Sequence, residues 1–412
     1  MSMQSLPLVS VITPSYNQAK FIKRTIDSVL TQDYPHIELI VVDGASTDGT
    51  VGILQQYSHL QDRFRFVSEP DRGQSHAINK GLKMARGEII GWLNSDDTYF
   101  PGAIRKAVTA LQQHPDWGVV YGKGLHIDEN DKAKYPYIWV EFDRKKLFNF
   151  NLICQPAAFL RKHAFEAVGG VNEEHDWCMD YDLWNRISLH YPIGTIPEFL
   201  ANSRLYSACK TYVYELEPGF SEILKTSVRH HGTISNEWLY HYTQKHYDQG
   251  AFWFLHKLKA YHAFGPSPQI IASNRYSDSW APQNLRMTIE ASHGPMHALL
   301  LKGSNQKNVA PLLHFHVMRN GVIVHNFQVT HTRFQVAIPI TSEGQRCEVS
   351  IFCSQQLLQD TPKKPGTKRS VSYHIEEILP LSYEEYQFFQ EFTKGKAQIE
   401  QWVNRRVPSP RI

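Results

Sequence analysis

Cysteine, long apolar runs and charge imbalance are all scarce in this 412-residue chain. The five cysteines are odd in number and far apart, at positions 154, 178, 209, 347 and 353. This pattern predicts neither a disulfide framework nor a structural zinc site with closely spaced ligands. The 43 basic residues nearly balance the 40 acidic ones, so the overall charge gives no reason to expect a nucleic-acid partner.

Membrane and export signals are scarce too. No stretch of the sequence reaches the roughly 20 apolar residues of a transmembrane helix. The segment from Met1 to Ser10 has neither a charged leader nor an apolar run long enough for export. We therefore expect a cytoplasmic protein with reduced thiols. Its 42% hydrophobic content is that of an ordinary soluble protein, and its length suits about two to three domains.

Strand and helix patterns alternate along the first quarter of the chain. Apolar stretches predict strands at 9–13, 37–42, 64–68 and 88–93. Helical periodicity predicts helices at 21–30, 51–57 and 78–84. This order is typical of an α/β fold with a mostly parallel, Rossmann-like sheet that has helices on both faces.

The pattern changes in the second half of the chain. Aromatic residues at helical spacing predict two or three helices between 212 and 264. After a turn-rich linker, a period of two predicts strands at 285–290, 297–302, 312–318, 322–324, 333–338, 346–352 and 370–378. Asn320 and Gly321 suit a type I′ hairpin turn, because both of its central residues need a positive φ.

We expect four segments. They are a catalytic α/β domain at 1–210, a helical extension packed on it at 211–265, a small all-β sandwich at 266–382, and a C-terminal helix and tail at 383–412. The tail is basic at Lys394, Lys396, Arg405, Arg406 and Arg411. These residues suit either a solvated helix, which is the simpler interpretation, or peripheral contact with an anionic membrane.

Two adjacent carboxylates, Asp96 and Asp97, directly follow the strand predicted at 88–93. Ligands of open α/β sheets bind at the carboxyl ends of the strands, and carboxylates are the hard oxygen ligands that Mg²⁺ and Mn²⁺ prefer. A simpler interpretation is a strand-to-helix turn with an acidic cap, in which Pro101 opens the next helix.

Polar loops follow all four predicted strands, at 13–17, 43–50, 70–74 and 94–97. Each loop by itself could be a turn, and Ser46-Thr-Asp48-Gly is a good helix-capping sequence. Parallel strands bring their carboxyl ends to one edge of the sheet. The four loops together therefore predict a site for a nucleoside diphosphate.

Five segments resemble the family 2 glycosyltransferases, which have the GT-A fold. They are VSVITPSYN at 9–17, ELIVVDGASTDGT at 38–50, GQSHAINKGLKMARGEIIGWLNSDD at 73–97, QPAAFLRKHAFEAVGGVNE at 155–173 and MDYDLW at 179–184. The resemblance implies an enzyme that moves a sugar from a nucleotide-sugar donor to an acceptor hydroxyl and inverts the anomeric carbon. The predicted β-sandwich resembles accessory modules of some bacterial glycosyltransferases.

The resemblance also implies residue roles. The donor would be bound by Pro14, Ser15, Tyr16, Asp43, Arg72, Gln74, Asn79, Asn94, Ser95 and Asp96. Asp96, assisted by Asp97, would hold Mn²⁺ or Mg²⁺, and Asp180 corresponds to the catalytic base. Asp182 is better explained as a partner of Arg186, four residues further along the same helix.

Four positions depart from the usual family pattern. Gly44 stands where a second acid is usual, Asn94 where a first metal-site acid often stands, Met179 where Glu precedes the base, and Tyr206 where a histidine is expected. Protonated tyrosine is a poor ligand for these metals. Lys210 is a candidate for a phosphate contact instead.

The implied role is synthesis of a surface polysaccharide or glycolipid, on a saccharide or lipid-linked saccharide acceptor, at the cytoplasmic face of the membrane. Two alternatives remain open. One is a glycan-binding, nucleotide-binding or scaffold protein with a degenerate transferase domain. The other is a nucleotidyltransferase, although the loop at 13–17 lacks the glycines of a phosphate-binding loop.

Overall fold

The computed structural model describes residues 6–246, 251–261, 265, 267–291, 295–305, 311–330, 332–342, 346–362, 364–395, 397–398 and 401. Two compact units divide the chain, Met1–Trp238 and Leu239–Ile412. The boundary falls inside the segment predicted at 211–265. None of the helices in the described ranges is long and apolar enough to cross a bilayer.

The first unit is an α/β fold around one mixed sheet. Its strands are β1 (Val9–Ser15), β2 (Ile37–Asp43), β3 (Phe64–Ser68), β4 (Ile89–Trp92), β5 (Thr98–Tyr99), β6 (Val119–Ile127), β7 (Ala133–Pro136), β8 (Ala158–Arg161) and β9 (Ile193–Arg204). Its helices are α1 (Ile22–Leu30), α2 (Thr50–Gln55), α3 (Gln74–Met84), α4 (Ala103–Gln113), α5 (Arg144–Asn149), α6 (Lys162–Ala167), α7 (Met179–Ile187), α8 (Lys210–Val213) and α9 (Ser221–His231). The strands and helices predicted over the first 93 residues are confirmed within a few residues at their ends.

The strand order is β3-β2-β1-β4-β8-β6-β9-β5, and β7 pairs with β6. Strands β1 to β4 run parallel, whereas β8 is antiparallel to both of its neighbours. Every residue of β1 and β2 is buried, because helices cover both faces of this part of the sheet. One side of α1 contributes Ile22, Ile26 and Val29 to that core. The carboxyl ends of β1, β2, β3 and β4 therefore meet at one edge.

The helix α10 (Asn236–His246) spans the boundary between the units. The second unit continues with α11 (Ala251–Ala260), β10 (Gln269–Ser273), β11 (Asn284–Glu290), β12 (Ala298–Ser304), β13 (Leu313–Arg319), β14 (Val322–Val329), β15 (Arg333–Pro339), β16 (Arg346–Cys353), β17 (Leu357–Thr361), β18 (Lys364–Val371), β19 (His374–Leu381) and α12 (Tyr383–Lys394). A five-stranded sheet, β10-β11-β16-β13-β14, and a three-stranded sheet, β15-β12-β19, share one apolar core. The predicted all-β sandwich is confirmed.

The hairpin prediction is confirmed in detail. Asn320 has a φ of 48° and Gly321 a φ of 82°, so both central residues of the turn between β13 and β14 adopt the left-handed region. The single strand predicted at 370–378 is wrong, because β18 ends at Val371 and β19 begins at His374. The C-terminal helix is confirmed as far as Lys394. Of the basic tail residues, Lys396, Arg405, Arg406 and Arg411 lie outside the described residues.

Candidate active site

A polar cleft of about 650 Å³ opens at the carboxyl edge of the parallel strands. It is lined by residues from all four of the predicted loops and from the segment after β9. Among the predicted donor residues, the lining includes Pro14, Ser15, Tyr16, Gln74, Asn94, Ser95 and Asp96, together with Asp97. The structure thus brings most of the predicted donor and metal residues to one place.

Asp96 and Asp97 differ in what their carboxylates do. Asp97 is 4% exposed, and its oxygens accept hydrogen bonds from the backbone N–H of Arg204 at 2.8 Å and from the side chain of Asn94 at 3.3 Å. Asp96 accepts only a 3.2 Å bond from the Tyr206 hydroxyl among the described side chains. Asp97 therefore anchors the loop to β9, and Asp96 is the carboxylate better placed to take a ligand from the cleft.

Both carboxylates have raised pKa values. Burial raises the pKa of Asp96 above its usual range. Burial and then the neighbouring charge of Asp96 raise the pKa of Asp97 well above it. Two adjacent acids held out of water carry an unfavourable mutual repulsion. A bound cation would relieve it.

Asn94, at the position where the resemblance led us to expect a metal-site acid, is the centre of an amide network. Its Oδ1 accepts hydrogen bonds from Gln74 Nε2 at 2.8 Å and from Trp92 Nε1 at 3.0 Å. Its Nδ2 donates to Gln155 Oε1 at 3.0 Å. Lys210 Nζ in turn donates to Gln74 Oε1 at 3.2 Å. This network holds the side chains of Gln74 and Asn94 in the cleft lining in place. It also brings Lys210, the one lysine among the lining residues, into contact with Gln74.

Asp43 ends β2 and is fully buried. Its Oδ2 accepts hydrogen bonds from the Ser46 backbone at 2.9 Å and from the Ser68 hydroxyl at 2.7 Å. The structure therefore shows Asp43 holding the β2 loop, and it does not belong to the lining of the cleft.

Gly44 lies at a close approach between two loops. A Cβ built on Gly44 would lie 2.9 Å from Oδ2 of Asp71 and 3.3 Å from the ring of Tyr16. Asp71 thus occupies the space beside the position where the family often has a second acid, and Asp71 lines the cleft. Sequence reasoning named only its loop, although the sequence Glu69-Pro-Asp71 after a strand was a usable signal.

Arg72 and Asn79 are not part of the cleft lining. Arg72 is 71% exposed and pairs with Glu173 at 2.6 Å. Asn79 donates to the Val171 carbonyl at 2.9 Å and accepts from the Val171 N–H at 2.9 Å. Asn79 connects α3 to the segment 168–174, and Arg72 connects the loop before α3 to it, so in this conformation their contacts are structural.

Asp180 lies in the first turn of α7 and is partly buried. Asn151 Nδ2 donates a 2.8 Å hydrogen bond to its Oδ2, and its own helix donates from the Tyr181 N–H to Oδ1 at 2.8 Å. Burial raises the pKa of Asp180, while these two donors oppose the rise. A carboxylate with a raised pKa and a fixed orientation suits a general base.

Asp182 faces a different environment from Asp180. Arg186 Nε donates to Oδ2 of Asp182 at 2.8 Å, so the predicted i, i+4 pair is confirmed. His230 Nε2 lies 2.9 Å from Oδ1, and His175 Nε2 lies 3.8 Å from the same oxygen. Burial by itself would raise the pKa of Asp182, but the two histidines and Arg186 hold it far below its usual range. Through its contacts with Arg186 and His230, Asp182 connects α7 to α9.

Glu222 of α9 is a structural residue that sequence reasoning missed. Its carboxylate accepts hydrogen bonds from three consecutive backbone N–H groups, those of Asp176 at 2.7 Å, Trp177 at 2.8 Å and Cys178 at 2.9 Å. These donors precede the first turn of α7, where N–H groups lack helical partners. Burial would raise the pKa of Glu222, but His175 and these donors lower it to about 2. Glu222 lies more than 40 positions from the residues that it contacts, so no local sequence pattern indicates this role.

A family model described as glycosyl transferase family 2 matches residues 10–169. Chondroitin synthase from Escherichia coli is 31% identical over 206 residues, which are 50% of this chain and 30% of that protein. The putative teichuronic acid biosynthesis glycosyltransferase TuaG of Bacillus subtilis (strain 168) is 44% identical over 108 residues, 26% of this chain and 43% of that protein. The chain spans less than half the length of either relative.

A solved structure supports the fold. S. aureus TarS 1-349, in complex with UDP-GlcNAc, superposes with a TM-score of 0.50 at 18% sequence identity, covering 62% of this chain and 81% of that one. At this identity the likeness shows a shared fold, which agrees with the mixed sheet described above. Residues 10–169, which supply most of the cleft lining, form a glycosyl transferase family 2 domain.

Proposed function

We propose that this protein is a metal-dependent, inverting glycosyltransferase that moves a sugar from a nucleotide-sugar donor to a hydroxyl of a saccharide or lipid-linked saccharide. Its place would be in polysaccharide or glycolipid synthesis, peripheral to the cytoplasmic face of the membrane. Family membership and the names of the polymer-forming relatives support this role. The observation that carries the proposal is the acidic, amide-rich cleft at the carboxyl edge of the sheet. Asp180 lies outside the lining of that cleft, and its carboxylate is oriented by Asn151.

The donor would lie along the cleft. Tyr16 is 64% exposed at the mouth, where its ring is free to stack on the base, and Asp71 offers an acceptor beside it. Asp43 supports that end of the cleft by fixing the loop after β2. Gln74 and Lys210 offer N–H donors for the diphosphate. Burial lowers the pKa of Lys210, and a bound phosphate would raise it again.

The residues present fit a divalent cation. Mg²⁺ is commonly held by one or two carboxylates together with substrate phosphates and water, and Asp96 supplies such a carboxylate at the cleft surface. Asp97, which is engaged on both oxygens, would support Asp96 from behind. When bound, Mg²⁺ or Mn²⁺ would offset the negative charge that grows on the nucleoside diphosphate as it leaves.

Asp180 would act on the acceptor. Its carboxylate takes the proton of the acceptor hydroxyl while the oxygen forms a bond to the anomeric carbon. The bond from that carbon to the donor phosphate breaks on the opposite side, which inverts the configuration and releases the nucleoside diphosphate. Asn151 and the Tyr181 N–H keep the carboxylate oriented for this transfer. The proton moves to a base whose raised pKa favours accepting it.

A donor screen tests the proposal. Release of nucleoside diphosphate would be followed for UDP-, GDP- and dTDP-sugars, with Mn²⁺ or with chelator, in the presence of mixed saccharide acceptors. We expect one donor class to be turned over only with metal. Donor binding that is strengthened by metal but never followed by turnover would overturn the transferase proposal in favour of a nucleotide-binding protein.

A further inference from the structure

A second cavity of about 490 Å³ lies in the first unit, apart from the lining of the donor cleft. Its walls are Lys123, Pro136, Tyr137, Ile138, Trp139 and Phe199. Ile138 is 57% exposed and Phe199 38% exposed. A concave surface rich in aromatic rings and open to solvent is typical of a ligand site.

The aromatic segment of this cavity is held in place at both ends. The Tyr137 N–H donates to the Gly124 carbonyl at 2.8 Å, and the Tyr121 hydroxyl donates to the Val140 carbonyl at 2.6 Å. Two further residues of the lining come from the sheet, where Lys123 of β6 pairs in register with Phe199 of β9. The rings are therefore presented by a preformed surface, which lowers the entropic cost of binding.

This cavity is connected to Asp180 by two hydrogen bonds. The Tyr137 hydroxyl donates to the Asn151 carbonyl at 2.7 Å, and the Asn151 side chain donates to Asp180 at 2.8 Å. Burial raises the pKa of the Tyr137 hydroxyl well above its usual range, and the charge of Asp180 contributes to the rise. Tyr137 therefore links the wall of this cavity to Asn151, the residue that orients the carboxylate of Asp180.

Lys123 gives the cavity its charge. Its Nζ lies 5.2 Å from the centre of the Trp139 ring, which is a cation–π contact. Within the described ranges, no carboxylate lies within ion-pair distance of Lys123. A cation held over an aromatic ring without an anionic partner is well suited to meet a carboxylate or another acidic group on a ligand.

We propose that this cavity, the acidic-acceptor subsite, binds an acceptor saccharide that carries an anionic group. One sugar ring would stack on Trp139 and Tyr137, and its acidic substituent would contact Lys123. The proposal deepens the proposed function, since it names the acceptor class for the reaction at Asp180. It also predicts that this protein extends an acidic glycan in preference to a neutral one.

The test measures glycan binding by the full chain in the absence of donor, so that it is independent of turnover. A glycan array with carboxylated, sulfated, phosphorylated and neutral saccharides would be followed by titration of the retained oligosaccharides and, for carboxylated ones, of their carboxyl-reduced counterparts. We expect acidic saccharides to bind about tenfold more tightly than neutral or reduced ones. Trp139→Ala should weaken that binding about tenfold, and Trp139→Phe should retain most of it. Lys123→Met should remove the preference for acidic saccharides.

Two surface changes serve as matched controls. Tyr383→Ala removes a ring that is 50% exposed in the second unit, and Lys145→Met removes an exposed lysine from α5. Neither should alter glycan binding. Retention of neutral glycans only, retention of none, or equal binding by Trp139→Ala and the unchanged protein would overturn the subsite. Absence of donor turnover with intact acidic-glycan binding would instead overturn the proposed function and leave the subsite standing.

Discussion

The side chain of Asn151 donates a 2.8 Å hydrogen bond to the carboxylate of Asp180. The two residues are 29 positions apart, and Asn151 precedes β8 whereas Asp180 lies in the first turn of α7. The bond fixes one carboxylate oxygen and stabilises its charged form. Because burial acts in the opposite direction, the protonation of Asp180 depends on a balance that mutation can shift.

Asp180→Asn should abolish transfer while donor affinity stays near that of the unchanged protein. Asparagine keeps the shape but cannot accept the proton, and loss of a general base typically costs about 10²–10⁴ in rate. Acceptor-dependent release of nucleoside diphosphate gives the rate, and calorimetry with donor and Mn²⁺ gives the affinity. Asp116→Asn, at an exposed position, is the matched control. Unchanged turnover in Asp180→Asn would remove Asp180 from the mechanism.

Asn151→Ala should shift the pH dependence of transfer. Asp180 must be ionised to act, so the rate falls as the pH drops through its pKa, which burial already raises. Losing the Asn151 donor removes an effect that lowers this pKa, so the acidic limb should move to higher pH. The rate at high pH should fall much less. The measurement is the dependence of kcat on pH for Asn151→Ala and for Asn130→Ala, a control at an exposed position. If the acidic limbs of the two profiles coincide, the prediction is contradicted.

Asp96→Asn and Asp97→Asn should have different effects. Asp96 faces the cleft with one weak hydrogen bond, so its loss should weaken Mn²⁺ binding with the nucleoside diphosphate of the accepted donor by about tenfold or more, while the melting temperature changes little. Asp97 accepts bonds from both Arg204 and Asn94, so its loss should lower the melting temperature as well. Calorimetric titration and thermal melting measure the two effects. Equal effects on melting would contradict the distinction.

Glu222→Gln should destabilise the protein and slow transfer. A glutamine has one acceptor oxygen where the carboxylate satisfies three backbone N–H groups, so a buried donor would lose its partner at a cost of about 1–3 kcal/mol. The first turn of α7 carries Asp180, so kcat should fall more than KM changes. Glu166→Gln, an exposed change on α6, is the control, and denaturant unfolding with kinetics is the measurement. A kcat equal to that of the control would show that Glu222 does not position the base.

Because His175 is buried beside two carboxylates, we expect the stability of the folded protein to depend on pH. Burial would lower its pKa, but contacts with Asp182 and Glu222 raise it to about 8. A group whose pKa is raised on folding adds stability below its unfolded pKa of roughly 6.5, and that contribution is lost as the pH rises through 8. His175→Gln should therefore flatten the fall in melting temperature between these pH values, whereas the exposed control His190→Gln should not. An unchanged slope would contradict the assignment.

Local patterns determined much of this protein. The alternation of apolar strands and amphipathic helices up to residue 93 fixed the parallel part of the sheet, because such periodicity depends only on neighbours in sequence. The Asn320-Gly321 turn was equally local. Since parallel strands align their ends, the sequence also indicated that the loops containing Tyr16 and Asp96 meet.

Contacts between distant segments required the tertiary structure. The strands β6, β8 and β9 were not predicted, because their pairing joins segments far apart in sequence. Only the fold places Glu222 under α7, turns Arg72 toward Glu173, and links Tyr137 through Asn151 to Asp180. Sequence spacing determined which residue types were available for chemistry. Long-range packing decided which of them share a cleft and which are held in buried ion pairs.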